Sequence, residues 1–412
     1  MTQAVFDKFA HFPEDCKEYI DHPSHSRPGI HALHDRLYVV STIFNPLRFR
    51  TRYWNYHTFE NMVNGAGAIL YTVELAFGNR EFEVTDPTNE RHLQLRVKDN
   101  QEIWLKENSL NLLIERLPSD WKYVAWIDAD ISFARPDWAQ ETIQLLQHYE
   151  FLQMFGQAMD YDVNYEQSVM TPGYVYSKLI EDNQLGNKNE NGDGDIPAPT
   201  TSSTSSSSLI KDKLSGIVKS LGIGKDSSKC IEECIDEFED CVEKCTYYGI
   251  KQVGREWKYR HPGFCWAARR EALNKVGGLI DFAILGSGDW IMSNALFGEV
   301  DKTVNAGYTD EYKRLCKTWE YRALKHIRKN VGYMPGLVNH YHHGIKKNRN
   351  YDNRWKLLVN TKYNPLTDLK KDVSGVYQLQ DDGTDRFIEL RDGLRRYARL
   401  RNEDSNMGII VP

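Results

Sequence analysis

The regular pattern begins at "RLYVVSTIFN", residues 36–45, where apolar and β-branched positions run on without the alternation of a strand wetted on one side. Such a run fits a strand covered on both faces of a parallel sheet. "RYWNYHTFENMVNG" then reads as a helix stopped by Gly65 and Gly67, and "AILYTVEL" as a second strand ending at Glu74. "KENSLNLLIERLP" repeats Leu and Ile at helical spacing until Pro118 closes it. Tyr123 to Ile127 is again apolar on both faces. Strands alternating with helices over 36–130 predict an α/β fold with a doubly wound, mostly parallel sheet. "GFCWAARREALNKVGGLIDF" resumes the pattern as a short strand feeding a helix that ends at Gly277 and Gly278, and "RFIELRDGLRRYARLRNEDS" reads as a charged amphipathic helix.

The pattern breaks after residue 180. "NQLGNKNENGDGDIPAPTTSSTSSSS" carries too little apolar surface to offset the entropy of ordering, and reads as a flexible insertion or linker. Its Asn191, Asp193 and Asp195 imitate the start of a calcium loop but lack the central Gly and distal Glu. "LIKDKLSGIVKSLGIGK" forms an apolar helical stripe from Leu209 to Leu221, suited to packing on its own domain or to lying on a membrane surface. In "CIEECIDEFEDCVEKC" the thiols of Cys230, Cys234, Cys241 and Cys245 share one helical face, where core packing, a metal and disulfides each fit.

With 412 residues, 41% hydrophobic and 12% aromatic, the chain can bury one large core or two ordinary ones, which excludes a disordered protein. The net charge of −6 demands neither nucleic acid nor an anionic membrane as partner. The N-terminal stretch lacks the apolar core of a signal peptide, and no segment offers the roughly eighteen apolar residues of a membrane span. Seven cysteines argue against a secreted disulfide framework. A cytoplasmic protein is the expectation.

Two aspartates close the apolar strand, Asp128 and Asp130 in "WIDADI". Strand residues at i and i+2 face the same way, and the carboxyl ends of parallel strands are where α/β sheets bind ligands. The pair can simply turn the chain before Pro136. Otherwise the repulsion of two facing carboxylates calls for a cation, and a divalent metal is the economical answer.

This strand-end Asp-x-Asp, followed by "GFCWAARREALNKVGG" and then "GSGDW", resembles the nucleotide-sugar glycosyltransferases of the GT-A fold, family-2-like, over residues 36–345. The resemblance implies an organisation of irregular lead-in (1–35), nucleotide-sugar-binding half (36–180), insertion (181–250), acceptor-binding half (251–345) and basic, helical extension (346–412). It implies a sugar transferred from a nucleoside-diphosphate sugar, a UDP-sugar by expectation, to a hydroxyl of a glycan, protein or other acceptor. A metal would neutralise the departing diphosphate, with Asp130 as direct ligand and Asp128 on the ribose or a metal-bound water. The donor would also meet Thr42 and Asn45 at the first strand end, Glu74 at the second, and Lys106 and Asn111 on the preceding helix.

"GLVNHYHHGIKKNRN" matches part of a His-x-x-Gly-x-x-Lys element through Gly344 and Lys347, with Tyr341 at the His position. His340 and His342 therefore compete as further ligands, unless these histidines only bond within a loop. Imidazole favours Mn²⁺ over Mg²⁺. Lys346, Lys347 and Arg349 are candidates for the diphosphate, or a solvated charge run. Asp289 stands where related inverting enzymes place the base of a Glu-Asp pair, here Gly288-Asp289; a helix cap is the plainer use. Arg260, His261 and Trp266 flank the acceptor-side strand. A sugar-nucleotide pyrophosphorylase and a non-catalytic carbohydrate-binding protein on the same fold are the rival readings. Arg391, Arg395, Arg396, Arg399 and Arg401 around Tyr397 would suit a nucleic-acid backbone, yet neighbouring acids favour an ion-paired helix.

Overall fold

The structure, a computed structural model, describes residues 35–99, 101–180, 260–351 and 353–404. The residues before 35 and the insertion, with its calcium-like loop, amphipathic stripe and four-cysteine face, lie outside them. In chain order the strands that build the site are β1 (Leu37–Phe44), β2 (Ile69–Phe77), β3 (His92–Val97), β4 (Tyr123–Ile127), β5 (Ile131–Phe133) and β6 (Phe151–Gln153). Then follow β7 (Gln157–Tyr161), β8 (Gln167–Pro172), β9 (Cys265–Arg269), β10 (Val331–Tyr333) and β11 (Leu337–His340). A seven-stranded sheet runs β10-β6-β9-β4-β1-β2-β3, and a four-stranded one β5-β11-β7-β8. In the large sheet β1 is parallel to β2 and β4, β2 to β3, and β10 to β6, while β9 alone runs antiparallel to its neighbours. The fold is thus α/β, with a mostly parallel central sheet flanked by helices.

The unbroken apolar runs follow from cover on both faces. Along β1, Tyr38, Val40 and Phe44 enter one core cluster while Leu37, Val39 and Ile43 enter the other. β4 divides likewise, Val124 and Trp126 against Ala125 and Ile127. Two features depart from the sequence pattern. β2 continues three residues past Glu74, and β3 is an additional edge strand whose Leu93, Leu95 and Val97 are buried while Arg96 between them is exposed.

The helices that matter to the site are α1 (Arg50–Gly65), α2 (Lys106–Ile114), α3 (Trp138–Leu145), α4 (Arg270–Val276), α5 (Gly288–Ala295), α6 (Asp310–His326) and α7 (Asp385–Leu400). α4 ends on Gly277 at φ +89°, a left-handed cap that glycine adopts without Cβ strain. The apolar stripe of α7, Phe387, Leu390 and Leu394, is buried. Its Arg395 and Arg399 reach Glu102 at 3.4 and 3.3 Å, and Arg391 pairs with Asp392, so the ion-paired reading of this helix holds for these three arginines. Cys265 and Cys316 are free, buried thiols. No helix among the described residues is long and apolar enough to cross a membrane.

Candidate active site

β4 delivers its aspartates to a junction between the two sheets. The Asp128 N–H donates to the Phe264 carbonyl at 2.8 Å, and the Asp130 carbonyl accepts from Tyr341 N–H at 2.8 Å. Pairing of β11 with β5 sets His340 opposite Ile131, hence beside Asp130, and pairing with β7 sets it opposite Asp160. His340 Nδ1 lies 2.6 Å from Asp160 Oδ1. A proton on Nδ1, donated to that carboxylate, leaves Nε2 with its lone pair free.

The turn after β11 swings His343 back toward the same point. Its Nε2 is 3.0 Å from Asp130 Oδ2 and 3.0 Å from His340 Nε2. One ligand atom from each of Asp130, His340 and His343 lies within 4.8 Å of the others, and Asp130 Oδ1 is buried without a partner among the described residues. Burial, aided by Arg349, pushes His343 down to about 4, so at neutral pH it is the neutral imidazole a metal requires. Burial resists ionisation of Asp130, but the facing His343, His340, Arg349 and Lys106 outweigh it and hold its carboxyl below the usual range. One carboxylate with a spare oxygen and two imidazoles form a donor set that fits a first-row divalent cation. His342 stays outside this cluster, half-buried, with Nε2 unpartnered among the described residues.

The facing wall comes from α2 and α5. Lys106 forms an ion pair with Asp128, and Thr42 Oγ1 meets Ser109 Oγ at 2.8 Å, which ties the end of β1 to α2. Burial pushes the Asp128 carboxyl up against the pull of Lys106, with Asp130 adding to the rise. Glu107 is pushed up to about 7 by burial; Lys106 opposes that shift and Asp289 reinforces it. Asp289 enters at the first turn of α5, after Ser287 at φ +81°, a left-handed backbone that costs of order 1–3 kcal/mol and that functional sites retain. Its Oδ1 accepts from the adjacent Trp290 N–H at 2.8 Å, a bond within the first turn and not a cap, since the cap position is Ser287, while a Cβ at Gly263 would collide with Oδ2. A Cβ at Gly288 would fall 2.9 Å from Glu107, so the two acids share one wall with glycine between them.

These walls enclose a cavity of ≈ 1080 Å³, above the usual range for small-molecule sites and roomy enough for two substrates. Thr42, Lys106, Asp128, Asp130, Asp289 and His340 line it; Asn45, Glu74, Asn111, His342 and Lys347 do not. Asn45 spans the turn after β1, bonding Phe49 N and O at 2.9 Å each. Asn111 holds the Leu279 N–H at 2.8 Å and its carbonyl at 3.0 Å. Lys347 is exposed, while its neighbour Lys346 pairs with Asp160 and reaches the lining. On the acceptor side Arg260 and His261 line the cavity, but Trp266 is a core residue, 1% exposed, with Nε1 donating to the Pro262 carbonyl. The half-buried indoles at the cavity are Trp104 and Trp290.

Glu74, expected at the nucleotide, serves the scaffold in this structure. Its carboxylate is 3% exposed and accepts from the N–H groups of Glu83, Val84 and Thr85 at 2.6–3.0 Å and from Thr85 Oγ1 at 2.7 Å. Replacing Glu74 with Ala leaves these donors stranded and is expected to cost about 2–4 kcal/mol, read as a lowered denaturant midpoint.

The residue-level reading of the sequence also missed several groups the fold brings in. Residues 346–404 supply Tyr351 and Arg354 and α1 supplies Arg52, beside Arg349, which the sequence did offer for the diphosphate, and Arg401, which it offered only to a nucleic-acid backbone. Arg354 donates to Tyr397 Oη at 2.8 Å and Ser287 Oγ at 2.5 Å, and Arg349 to Tyr351 Oη at 3.2 Å and to His343 Nε2 at 2.8 Å, so a cation at the cluster would take the place of that last contact. Neither arginine has a carboxylate partner among the described residues, and the buried Nε of Arg349 has no partner there at all.

No protein-family model matches the chain, and no curated protein matches it either. Among solved structures, a Desulfovibrio desulfuricans protein provisionally named a nucleotide-diphospho-sugar transferase aligns over 88% of this chain and 98% of its own, at 10% identity and a TM-score of 0.25. A likeness of that size carries no argument about activity.

Proposed function

We propose that the chain is a metal-dependent glycosyltransferase of the GT-A type, moving a sugar from a nucleoside diphosphate to a hydroxyl acceptor with inversion. The observation that carries this reading is one cavity holding both the Asp130–His340–His343 cluster and, on its facing wall, Asp289. Asp130, His340 and His343 would hold Mn²⁺, which when bound supplies Lewis-acid neutralisation of the leaving diphosphate. Arg349 and Arg354, which have no acid partner among the described residues, supply donors for phosphate oxygens, because a guanidinium held away from bulk water calls for an anion. Lys106 opposes the burial that pushes the Asp128 carboxyl up, and its ion pair orients that carboxyl at the strand end.

Asp289 takes the proton of the acceptor hydroxyl as it attacks. Deprotonation is what makes the hydroxyl an adequate nucleophile, and a positioned carboxylate is the base the wall provides. Trp290 beside it offers an aromatic face to an acceptor sugar. A panel of nucleoside-diphosphate sugars, assayed for nucleoside diphosphate release with Mn²⁺, with Mg²⁺ and with chelator, tests the whole reading. Release from one donor that stops on chelation and returns with Mn²⁺ is expected; release of a nucleoside triphosphate on adding pyrophosphate would point to a pyrophosphorylase instead.

A further inference from the structure

We propose that Glu403, carried by the segment that follows α7, is a positioning residue for His343 and so belongs to the metal centre, an inference that rests on the metal reading above. Glu403 lies 273 positions after Asp130 (403 minus 130), in the charged stretch that the sequence offers only as an ion-paired helix. It is nevertheless 1% exposed, and its Oε2 is 3.7 Å from His343 Nδ1, on the side of the ring opposite the Nε2 that faces Asp130 and His340. A ligating imidazole needs an acceptor behind it to fix its tautomer and its plane, and a carboxylate is the usual choice. His340 has Asp160 hydrogen-bonded in that place at 2.6 Å; Glu403 stands in the corresponding place behind His343 at 3.7 Å, an ion-pair distance that a small shift would turn into a hydrogen bond.

The carboxylate is itself held. Arg52 donates to it through Nε at 2.5 Å and through a terminal nitrogen at 2.8 Å, and Arg401 Nε donates at 2.7 Å. The next residue anchors the backbone, since Asp404 accepts from Arg50 N–H, Thr51 N–H and Thr51 Oγ1 at 2.9, 3.1 and 2.7 Å, supplying the cap that Phe49 cannot give α1. Gly344, next to His343, sits at φ +88°, where a Cβ would fall 2.7 Å from Glu403 Cα. The two segments are therefore pressed together at a point that admits only glycine. A fold that merely tidied away its C-terminal segment would need neither the bidentate arginine nor the close approach to the ligand's own turn.

Mn²⁺ affinity, read from the electron-paramagnetic signal of free Mn²⁺ titrated into the full chain, tests the assignment without any turnover. Glu403→Gln is expected to weaken Mn²⁺ binding by about 10–100-fold. Asp404→Asn, which loosens the same segment without touching His343, is expected to lower the Tm while leaving the Mn²⁺ Kd within about threefold. Should Glu403→Gln fail to fold, Glu403→Asp keeps the charge for both arginines but withdraws from the imidazole, and a weaker Mn²⁺ Kd at a near-native Tm is the expected result. Native Mn²⁺ affinity in either Glu403 variant overturns the proposal. A native protein that binds no Mn²⁺ fails differently, removing the metal reading and this inference with it.

Discussion

Substituting Asp130 with Ala should weaken Mn²⁺ binding and reduce transfer by at least about 10²-fold, the loss that follows when several kcal/mol of charge stabilisation leave the transition state. Asp130 is the one carboxylate in the three-residue cluster, and an imidazole carries no negative charge, so in the proposed metal reading no other member of the cluster would offset a cation's charge. Asp128 is no substitute, because its carboxylate is engaged by Lys106. The expected signature is a raised Mn²⁺ requirement together with a fall in kcat, measured by initial rates across a metal titration. Full activity in the variant, at Mn²⁺ concentrations near those the native chain needs, would remove the metal from this site.

Asp289→Asn should leave Mn²⁺ and donor binding within a few-fold and lower kcat by about 10²–10⁴-fold, the range a positioned general base contributes. The amide keeps an oxygen to accept from Trp290 N–H, so the start of α5 is preserved while the proton acceptor is lost. Donor affinity by calorimetry and kcat by a coupled nucleoside diphosphate assay separate the two effects. Turnover within tenfold of native would move the base elsewhere on that wall. Glu107, pushed up to about 7 and facing the same glycine-lined gap, is the next carboxyl to test.

How much of this was legible in the chain depended on whether a residue's role was local. β1 and β4 declared themselves because burial on both faces leaves an unbroken apolar run, and its shortness and its β-branched and aromatic residues decide for strand over buried helix. β3 hid because an edge strand alternates and "HLQLRV" carries charge on its wet side. The Asp pair could be placed at a strand end from sequence, but its partners were chosen by register. His340 is beside Asp130 because β11 pairs with β5, and His343 rather than His342 turns inward because of the bend after it. No spacing along "NHYHHG" distinguishes them. Glu74 looked like a ligand group because it is an acid near a strand end. The loop at 83–85 that consumes it could not be foreseen without the fold. Glu107, Arg354 and Glu403 were invisible for a related reason: each is an ordinary charged residue until distant segments bury it.

Around residue 173 the backbone closes on the segment that resumes at residue 260. Gly173 bridges to His261, the Tyr174 N–H donates to the His261 carbonyl at 3.0 Å, and the His261 N–H donates to Pro172 at 2.8 Å. The polypeptide on either side of 181–259 is thus already stapled before any of that stretch is considered. Because doubling a loop's length adds only about 0.6 kcal/mol of closure entropy, changing the number of residues between 181 and 259 should leave this join and the cavity lining it carries largely undisturbed.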